Sequence, residues 1–146
     1  MAKVLFFSES VDFSIARPLK IVRWIKRVIK TEGFTPGDLN IIFCNDEGLR
    51  EINIQYLNHT TYTDIITFDH SEEPGIVEGD IFISIDRVKE NAIKLGSLFD
   101  DELHRVIIHG VLHLIGYRDK QPEEKKLMRL KEDACLLMRD VPRGTT

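Results

Sequence analysis

Two histidines, His109 and His113, lie four residues apart within an apolar run, and their spacing suggests metal chemistry. At about 100° per residue they would be separated by about 40° on a helix, so both imidazoles can reach the same ion. Gly116 is a typical helix stop, after which the chain can bring Asp119 back towards the pair. Two neutral imidazole nitrogens and one carboxylate oxygen suit zinc or a similar divalent ion, with a further position open for water. The pattern therefore predicts one such ion per chain, bound by these three residues.

The residue after the first histidine distinguishes this pattern from that of zinc proteases, which place a glutamate there to activate water. Here the position holds Gly110. The sequence therefore predicts no particular general base and leaves water activation to the ion itself, to Tyr117 or to a group elsewhere. The alternative to a metal site is that the histidines are hydrogen-bonded core residues, since pairs at this spacing also arise by chance.

The composition is that of a globular protein. The chain has 146 residues, of which 42% are hydrophobic and 30% are charged, so we expect one domain over residues 1–146 with a sizeable core. The two cysteines, Cys44 and Cys135, form neither a disulfide framework nor a C-x-x-C pair, which favours a reducing compartment. The sequence shows no apolar run of membrane-spanning length and no N-terminal secretory signal, so we expect a cytoplasmic protein.

Charge is distributed unevenly along the chain. The net charge is −4, which argues against a protein that coats nucleic acid through charge alone. One segment without acidic residues nevertheless carries +6 and leaves −10 for the rest; its cations are Arg17, Lys20, Arg23, Lys26, Arg27 and Lys30. This pattern is typical of the solvated face of an amphipathic helix and also suits a landing surface for a phosphate backbone. Trp24, beside that face, either packs against a neighbouring element or stacks on a nucleobase.

Hydrophobic periodicity predicts strands and helices that alternate early, with helices dominating late. The predicted strands cover residues 3–8, 39–44, 63–68 and 80–85, and the predicted helices cover residues 18–31, 47–57, 86–95, 100–115 and 122–138. A tail from about residue 140 is predicted to be loose. The fold class is α/β: a mixed sheet of about four strands with helices packed over it, and the metal site on a central buried helix and the following turn.

Local residue types predict details of these elements. Asn45 suits the N-cap of the second helix, and Asp86 that of the third, while Asp100 or Asp101 opens the central helix. Tyr56 is expected to face inward from the second helix, and the third and fourth strands are expected to pair as a hairpin. Turns are predicted where glycine and proline cluster, at Gly33, at Pro36 and Gly37, and within residues 71–79.

Four other residues bear on the site. Glu102 lies about 20° from His109 on the helical wheel but two turns away, so it either orients an imidazole or is a helix-start carboxylate favoured by the dipole. His104 lies about 140° round from His109 and is excluded from the site. Thr63 and Asp64 either shape the cleft or cap the turn before a strand.

Three motifs give the chain a family resemblance. Residues 63–68 read T-D-I-I-T-F, residues 79–84 read G-D-I-F-I-S, and residues 109–119 read H-G-V-L-H-L-I-G-Y-R-D. In order and spacing they resemble the T-D-V-L-S-F, G-D-I-x-I-S and H-G-x-L-H-L-x-G-Y-D-H motifs of the YbeY family of metal-dependent endoribonucleases, the rRNA maturation factors. Glu102 also falls where that family has a glutamate, so the resemblance covers roughly residues 50–120.

The chain departs from that family at positions that affect the chemistry. Asp119 stands in place of the family's third histidine, and Arg118 in place of the aspartate before it. Because aspartate is a competent but harder zinc ligand, we expect the site to persist with an altered metal preference. Leu57 occupies the position of an arginine associated with phosphate contact, so either another cation replaces it or the activity is weaker or differently aimed. His59, where the family has a lysine, is either that substitute or a surface histidine.

The resemblance implies a single-strand-specific endoribonuclease that hydrolyses RNA phosphodiester bonds in rRNA maturation and ribosome quality control. It implies His109, His113 and Asp119 as ligands of zinc or a similar ion, rRNA or the ribosomal small subunit as partner, and a ribosomal protein or GTPase as candidate protein partner. Any docking on the ribosome is expected to use the basic helix or a protein partner. Two alternatives stay open: a small zinc peptidase-like hydrolase, against which Gly110 speaks, and a non-catalytic ribosome assembly factor with a structural metal, which Leu57 favours.

Overall fold

A computed structural model describes residues 2–59 and 62–139. Its elements, in chain order, are β1 (Val4–Ser8), α1 (Pro18–Thr31), β2 (Thr35–Cys44), α2 (Asp46–Leu57), β3 (Ile65–Asp69), β4 (Ile76–Ser84), α3 (Ile85–Leu95), α4 (Phe99–Ile115) and α5 (Pro122–Leu137). The tail that the sequence predicts to be loose from about residue 140 lies outside the described residues.

The strands form one mixed sheet in the order β1-β2-β4-β3. Strands β1, β2 and β4 are parallel, as their helical crossovers require, and β3 pairs with β4 in the antiparallel sense. The predicted hairpin and the predicted fold class are therefore confirmed. The predicted helix around the histidine pair is α4, which begins at Phe99 and ends at Ile115.

The two faces of the sheet carry cores of different size. The main core contains Ile41 and Ile81 from the sheet and Ile25 and Ile107 from α1 and α4, all of which are fully buried. Neighbouring strand positions point to the opposite face, where a smaller cluster includes Leu49 of α2. Helix α4 contacts β3, β4, α1, α3 and α5. It is therefore the centre of the helical layer, as its apolar residues on several sides predict.

One of the two turn predictions for the region after α1 is confirmed and the other is corrected. The turn lies at Gly33, which has a φ of 83°, whereas Pro36 and Gly37 lie within β2. The pairing of β2 with β4 shifts register between Pro36 and Leu39, so these residues accompany a strand irregularity. A Cβ on Gly37 would lie 2.8 Å from Cγ2 of Ile76, which explains why glycine is needed there.

Helix caps and one inward residue also differ in part from prediction. Asn45 caps α2 as predicted, but the N-cap of α3 is Ser84, whose hydroxyl accepts a hydrogen bond from the Arg87 amide. Asp86 was the wrong choice because its carboxylate accepts instead from the amide of Asp46, at 3.0 Å. The N-cap of α4 is Leu98, so Asp100 and Asp101 lie within its first turn. Tyr56 is 63% exposed and does not face inward.

Both cysteines are free and buried, one on each side of the sheet. Burial is the main cause that raises the pKa of the Cys44 thiol to about 12 and that of the Cys135 thiol to about 11. Within residues 2–59 and 62–139, every helix is too short or too polar to span a lipid bilayer.

Substitution of Gly79 in β4 tests how closely β3 approaches β4. A Cβ at this position would lie 2.2 Å from the carbonyl oxygen of Phe68, and that backbone atom cannot move without breaking the strand pairing. We expect Gly79→Ala to lower the free energy of unfolding by about 3 kcal/mol or more, measured by urea denaturation. The control is Gly75→Ala, where a Cβ meets open space but φ is 85°; it should cost about 1–2 kcal/mol. Equal losses in the two variants would contradict this explanation.

Candidate metal centre

The structure brings together the three residues that the sequence singles out. The Oδ2 atom of Asp119 lies 3.2 Å from Nε2 of His109 and 3.4 Å from Nε2 of His113. One ligand atom from each residue lies within 4.8 Å of the others, and among the described residues this is the group of three or more His, Cys, Asp or Glu side chains that could hold an ion. The side chains are 19%, 28% and 37% exposed, for His109, His113 and Asp119 in turn, so solvent can reach the group.

The local sequence explains how a helix and a turn supply these ligands. Helix α4 places His109 and His113 on one face, with their ring centroids 4.6 Å apart and the rings nearly perpendicular. Gly116 ends the helix with a φ of 127°, and its amide donates to the carbonyls of Leu112 and His113. The chain then turns and reaches Asp119 before α5 starts. A residue with a side chain would be strained at this φ, so glycine sets the direction of the turn.

A buried carboxylate fixes the first histidine from behind. Nδ1 of His109 donates to Oε2 of Glu132 at 2.6 Å, and Arg105 donates to the other carboxylate oxygen at 2.9 Å. Glu132 lies in α5 and is only 5% exposed. Because Nδ1 carries the donated proton, Nε2 of the neutral ring presents its lone pair towards Asp119. This is the orientation that a metal-ligating histidine requires.

Burial and pairing shift the pKa values of this pair in opposite directions. Burial alone would lower the pKa of His109, but the hydrogen bond and charge of Glu132, together with Asp119 and Asp64, raise it above its ordinary value. Burial alone would raise the pKa of Glu132, but its hydrogen bonds with His109 and Arg105 hold it below the ordinary range. Glu132 is therefore a charged partner for the imidazole at neutral pH.

The distances from Asp119 to the two histidines fit a small divalent ion. Zinc lies about 2.0–2.1 Å from nitrogen and carboxylate ligands, so two ligands of a tetrahedral ion are separated by roughly 3.3 Å. The observed separations of 3.2 Å and 3.4 Å from Asp119 to His109 and His113 agree with that value. The donor set of two imidazoles and one carboxylate also leaves an open position, as in catalytic zinc sites.

A cavity of about 270 Å³ opens beside His109 and Asp119. Its lining is unusually rich in charge, and consists of Asp64, Glu102, Arg105, Val106, His109, Asp119, Arg129 and Glu132. Burial raises the pKa of Asp64 and also that of Glu102, although His109 opposes the first shift and Arg105 the second. The cavity therefore holds carboxyl groups that keep a proton more readily than ordinary surface carboxylates.

The residue that orients the imidazole is Glu132 rather than Glu102. Glu102 is 7% exposed and lines the cavity, but its carboxylate makes no side-chain hydrogen bond within the part of the chain that the structure describes. The sequence did contain a signal for Glu132, since it shares a helical face with Met128 and Cys135, at spacings of four and three residues. A charged residue on a buried stripe needs a partner.

The remaining candidates separate into residues at the cavity and residues away from it. Asp64 lines the cavity, whereas the hydroxyl of Thr63 donates locally to the carbonyl of Ile65. The hydroxyl of Tyr117 donates to Glu32, and Nζ of Lys131 lies 5.4 Å from the centroid of its ring. His104 accepts from Arg139 on another side of α4, which agrees with its exclusion.

Trp24 packs rather than stacks on a base. It is 1% exposed, and its Nε1 donates to the carbonyl of Cys135 at 2.8 Å. Leu57, the last residue of α2, and His59, two residues beyond it, are both exposed. Within the described residues, the cations that line the metal cavity are Arg105, which is paired with Glu132 and Asp133, and Arg129, whose side chain is 56% exposed.

The structure also explains why glycine follows His109. A Cβ on Gly110 would lie 2.8 Å from Cδ1 of Ile65 and 3.0 Å from Cγ2 of Ile81. This position faces the sheet, so a glutamate here could not serve as a base at the metal group. The close packing of α4 on β3 and β4 depends on the missing side chain.

Substitution of Gly110 tests that packing. We expect Gly110→Ala to destabilise the fold by about 1–2 kcal/mol, because overpacking outweighs the helix propensity that alanine gains. Urea denaturation measures the loss. The compensating substitution Ile65→Val removes the nearest methyl group. We therefore expect Gly110→Ala to cost less stability in an Ile65→Val background than it costs in wild type. Additive losses in the double variant would mean that the contact with Ile65 is not the cause.

The chain is similar to known proteins of one family. The family model described as "Endoribonuclease YbeY" matches residues 8–139. A relative from Cytophaga hutchinsonii named Endoribonuclease YbeY is 51% identical over 136 residues, which cover 93% of this chain and 95% of the relative. Another of the same name, from Bacteroides thetaiotaomicron, is 45% identical over 136 residues, covering 93% of this chain and 98% of the relative. The solution structure of a Thermotoga maritima protein superposes with a TM-score of 0.63 at 25% identity and covers both chains completely.

Fold and site together define an α/β protein whose central helix and following turn present a His-His-Asp group beside a charged cavity. The family match extends over nearly the whole described chain, and the relatives are similar along almost all of their length. The chain belongs to the YbeY endoribonuclease family. The resemblance seen in the three sequence motifs is therefore confirmed.

Proposed function

We propose that this chain is a metal-dependent, single-strand-specific endoribonuclease that acts in rRNA maturation and ribosome quality control. The observation that carries the proposal is the group of His109, His113 and Asp119, with Glu132 behind the first imidazole. The relatives named Endoribonuclease YbeY support the same activity. We infer a single domain over residues 1–146, a cytoplasmic location, and rRNA or the ribosomal small subunit as partner, with a ribosomal protein or GTPase as protein partner.

Each residue at the site has a part in this proposal. His109, His113 and Asp119 would hold one zinc or similar divalent ion, and Glu132 would keep Nε2 of His109 directed at it. When bound, such an ion would supply Lewis acidity towards a phosphate oxygen and towards the attacking water. Asp64 and Glu102 line the cavity, and burial raises the pKa of each carboxyl, which makes them better proton acceptors near neutral pH than ordinary carboxylates.

A cation for the phosphate has to come from a position other than 57. The leucine at that position cannot pair with an anion, and Arg105 is already engaged with Glu132 and Asp133. Arg129 lines the cavity, is more than half exposed, and lies 3.9 Å from Glu132, a longer contact than the 2.9 Å of Arg105, so we assign it the phosphate contact. With this assignment, the leucine at position 57, where the family has an arginine, does not require lower activity.

Metal content tests the ligand set. We expect purified wild type to hold about one zinc or similar ion per chain by elemental analysis, and His113→Ala and Asp119→Ala to lose or weaken it. RNA cleavage should fall by about 100-fold or more in both variants, because each loses one of three protein ligands. Full metal retention in Asp119→Ala would remove Asp119 from the ligand set. Peptide cleavage without RNA cleavage would favour the peptidase alternative, and a ribosome-linked role without cleavage would favour the assembly factor.

The residue behind the imidazole gives a second test. Glu132→Gln keeps the size of the side chain but removes the charge that holds Nδ1 of His109, so we expect metal affinity to fall about 10–100-fold. The matched control is Asp133→Asn, which removes the neighbouring exposed carboxylate that pairs with Arg105. Metal affinity is measured by competition with a chromogenic chelator. Equal effects of the two substitutions would point to Arg105 or to the general charge of α5 instead of Glu132.

A further inference from the structure

Helix α1 carries a row of cations on its outer side. Its buried side packs into the main core through Ile21, Trp24, Ile25, Val28 and Ile29. The remaining positions form what we call the α1 basic stripe, which consists of Lys20, Arg23, Lys26, Arg27 and Lys30. The stripe is about 15 Å long at 1.5 Å per residue. The sequence left open whether these cations are only a solvated face.

Two members of the stripe have structural contacts and three do not. Lys26 donates to the carbonyl of Ala2 at 3.0 Å, and Arg27 donates to the carbonyl of Met138 at 2.8 Å. Lys20, Arg23 and Lys30 form no ion pair and no side-chain hydrogen bond with any residue in the ranges 2–59 and 62–139. These three are therefore available to an external anion.

The like charges of the stripe destabilise α1. Arg23 has like charges three and four residues away, at Lys20, Lys26 and Arg27, and each such pair destabilises the helix. Helix α3 shows the usual solution, since its Glu90 pairs with both Arg87 and Lys94. Because α1 has no acidic residue between 17 and 31, solubility alone does not explain the stripe.

The stripe leads towards the metal group. Glu32, the C-cap of α1, accepts hydrogen bonds from Tyr117 and from Lys131. Tyr117 is two residues before Asp119, so the end of α1 that carries Lys30 adjoins the turn of the site. Two exposed cations, Arg118 and Lys120, flank Asp119 in that turn.

We propose that the α1 basic stripe binds phosphates of the RNA substrate outside the metal cavity, so that the RNA extends from the turn at Asp119 along α1. This inference rests on the proposed endoribonuclease function for the identity of the polyanion. The contacts are electrostatic and independent of sequence, because the stripe offers lysine and arginine ends while Trp24, the aromatic residue within α1, is buried. A membrane is the less suitable anion, since the apolar side of α1 is committed to the core.

RNA binding by charge-neutral variants tests the stripe. Lys20→Gln, Arg23→Gln and Lys30→Gln are combined in a His113→Ala background, where cleavage is disabled and binding is measured alone by fluorescence anisotropy. A labelled single-stranded RNA of twenty nucleotides is the probe. We expect roughly tenfold weaker binding near 100 mM salt, and a slope of log affinity against log salt that is smaller by about 2, because three phosphate contacts are lost.

The matched control removes the same charge elsewhere. Lys3→Gln, Lys89→Gln and Lys94→Gln are combined in the same background. All three lysines are exposed; Lys3 lies just before β1, and Lys89 and Lys94 lie in α3. Little loss in this control supports the stripe. Equal losses in the two triple variants, or no loss in either, overturn it, as does a loss of binding to anionic lipid vesicles without loss of binding to RNA. If the stripe variant does not fold, Arg23→Gln and Lys30→Gln are measured singly and should each lose about twofold to threefold.

Substrate length separates this inference from the proposed function. With His113 intact, wild type should cleave the twenty-nucleotide RNA with a lower KM than a tetranucleotide, and the stripe variant should lose that difference while kcat stays unchanged. Cleavage of both substrates with no length effect overturns the stripe but leaves the endoribonuclease in place. Absence of cleavage by metal-loaded wild type counts against the endoribonuclease, whereas the binding result is still read independently.

Discussion

The buried carboxylate of Glu132 is the interaction on which the arrangement of the helical layer depends. A carboxylate that is almost fully removed from water must be paired, and here both partners, His109 and Arg105, project from α4. This requirement fixes the register in which α5 lies against α4. With both helices fixed, the turn between them has little freedom, so the position of Asp119 follows from the pairing. One interaction therefore determines both the packing of α5 and the geometry of the metal group.

Local signals account for most of what the sequence could predict. The histidine pair, the stop at Gly116 and the hairpin of β3 with β4 each depend on residues within a short stretch, so they were predictable. The helical pattern marks Glu132 as buried, but its pairing with His109 was not predictable, because His109 lies 23 residues earlier in another helix and only tertiary packing brings them together. Asp86 and Ser84 are both good caps by residue type, and the contact of Asp86 with the neighbouring helix start decides between them.

Gly110 and Pro36 show a different limit. A glycine after a histidine can mean flexibility, a lost catalytic residue or close packing, and only the neighbouring Ile65 and Ile81 identify the last. Likewise, Pro36 followed by glycine is a turn signal in sequence, but β4 pairs alongside and turns the same residues into a strand irregularity. In both cases the sequence shows the residue type but does not show which residues lie next to it in the fold.

The charges of this protein are divided between a carboxylate-rich cavity and a cationic helix surface. The cavity suits a divalent ion by charge, because Asp119 and its neighbouring acids outnumber the cations there. The same acids would repel a polyanion, so Arg129 at the cavity needs support from cations outside it to attract a nucleic acid. A separation of the two surfaces lets each attract its own ligand without neutralising the other.

The burial of Trp24 has a spectroscopic consequence. It is the chain's single tryptophan, and it joins α1 to α5 through the carbonyl of Cys135, with the ring of His104 5.7 Å away. Its emission therefore comes from one defined place, the junction of three helices on the side of α4 away from the metal group. Intrinsic fluorescence thus reports the docking of α5 on α1 without a label, and it can be followed while ions or RNA are added, as an optical record of whether the helical layer itself responds.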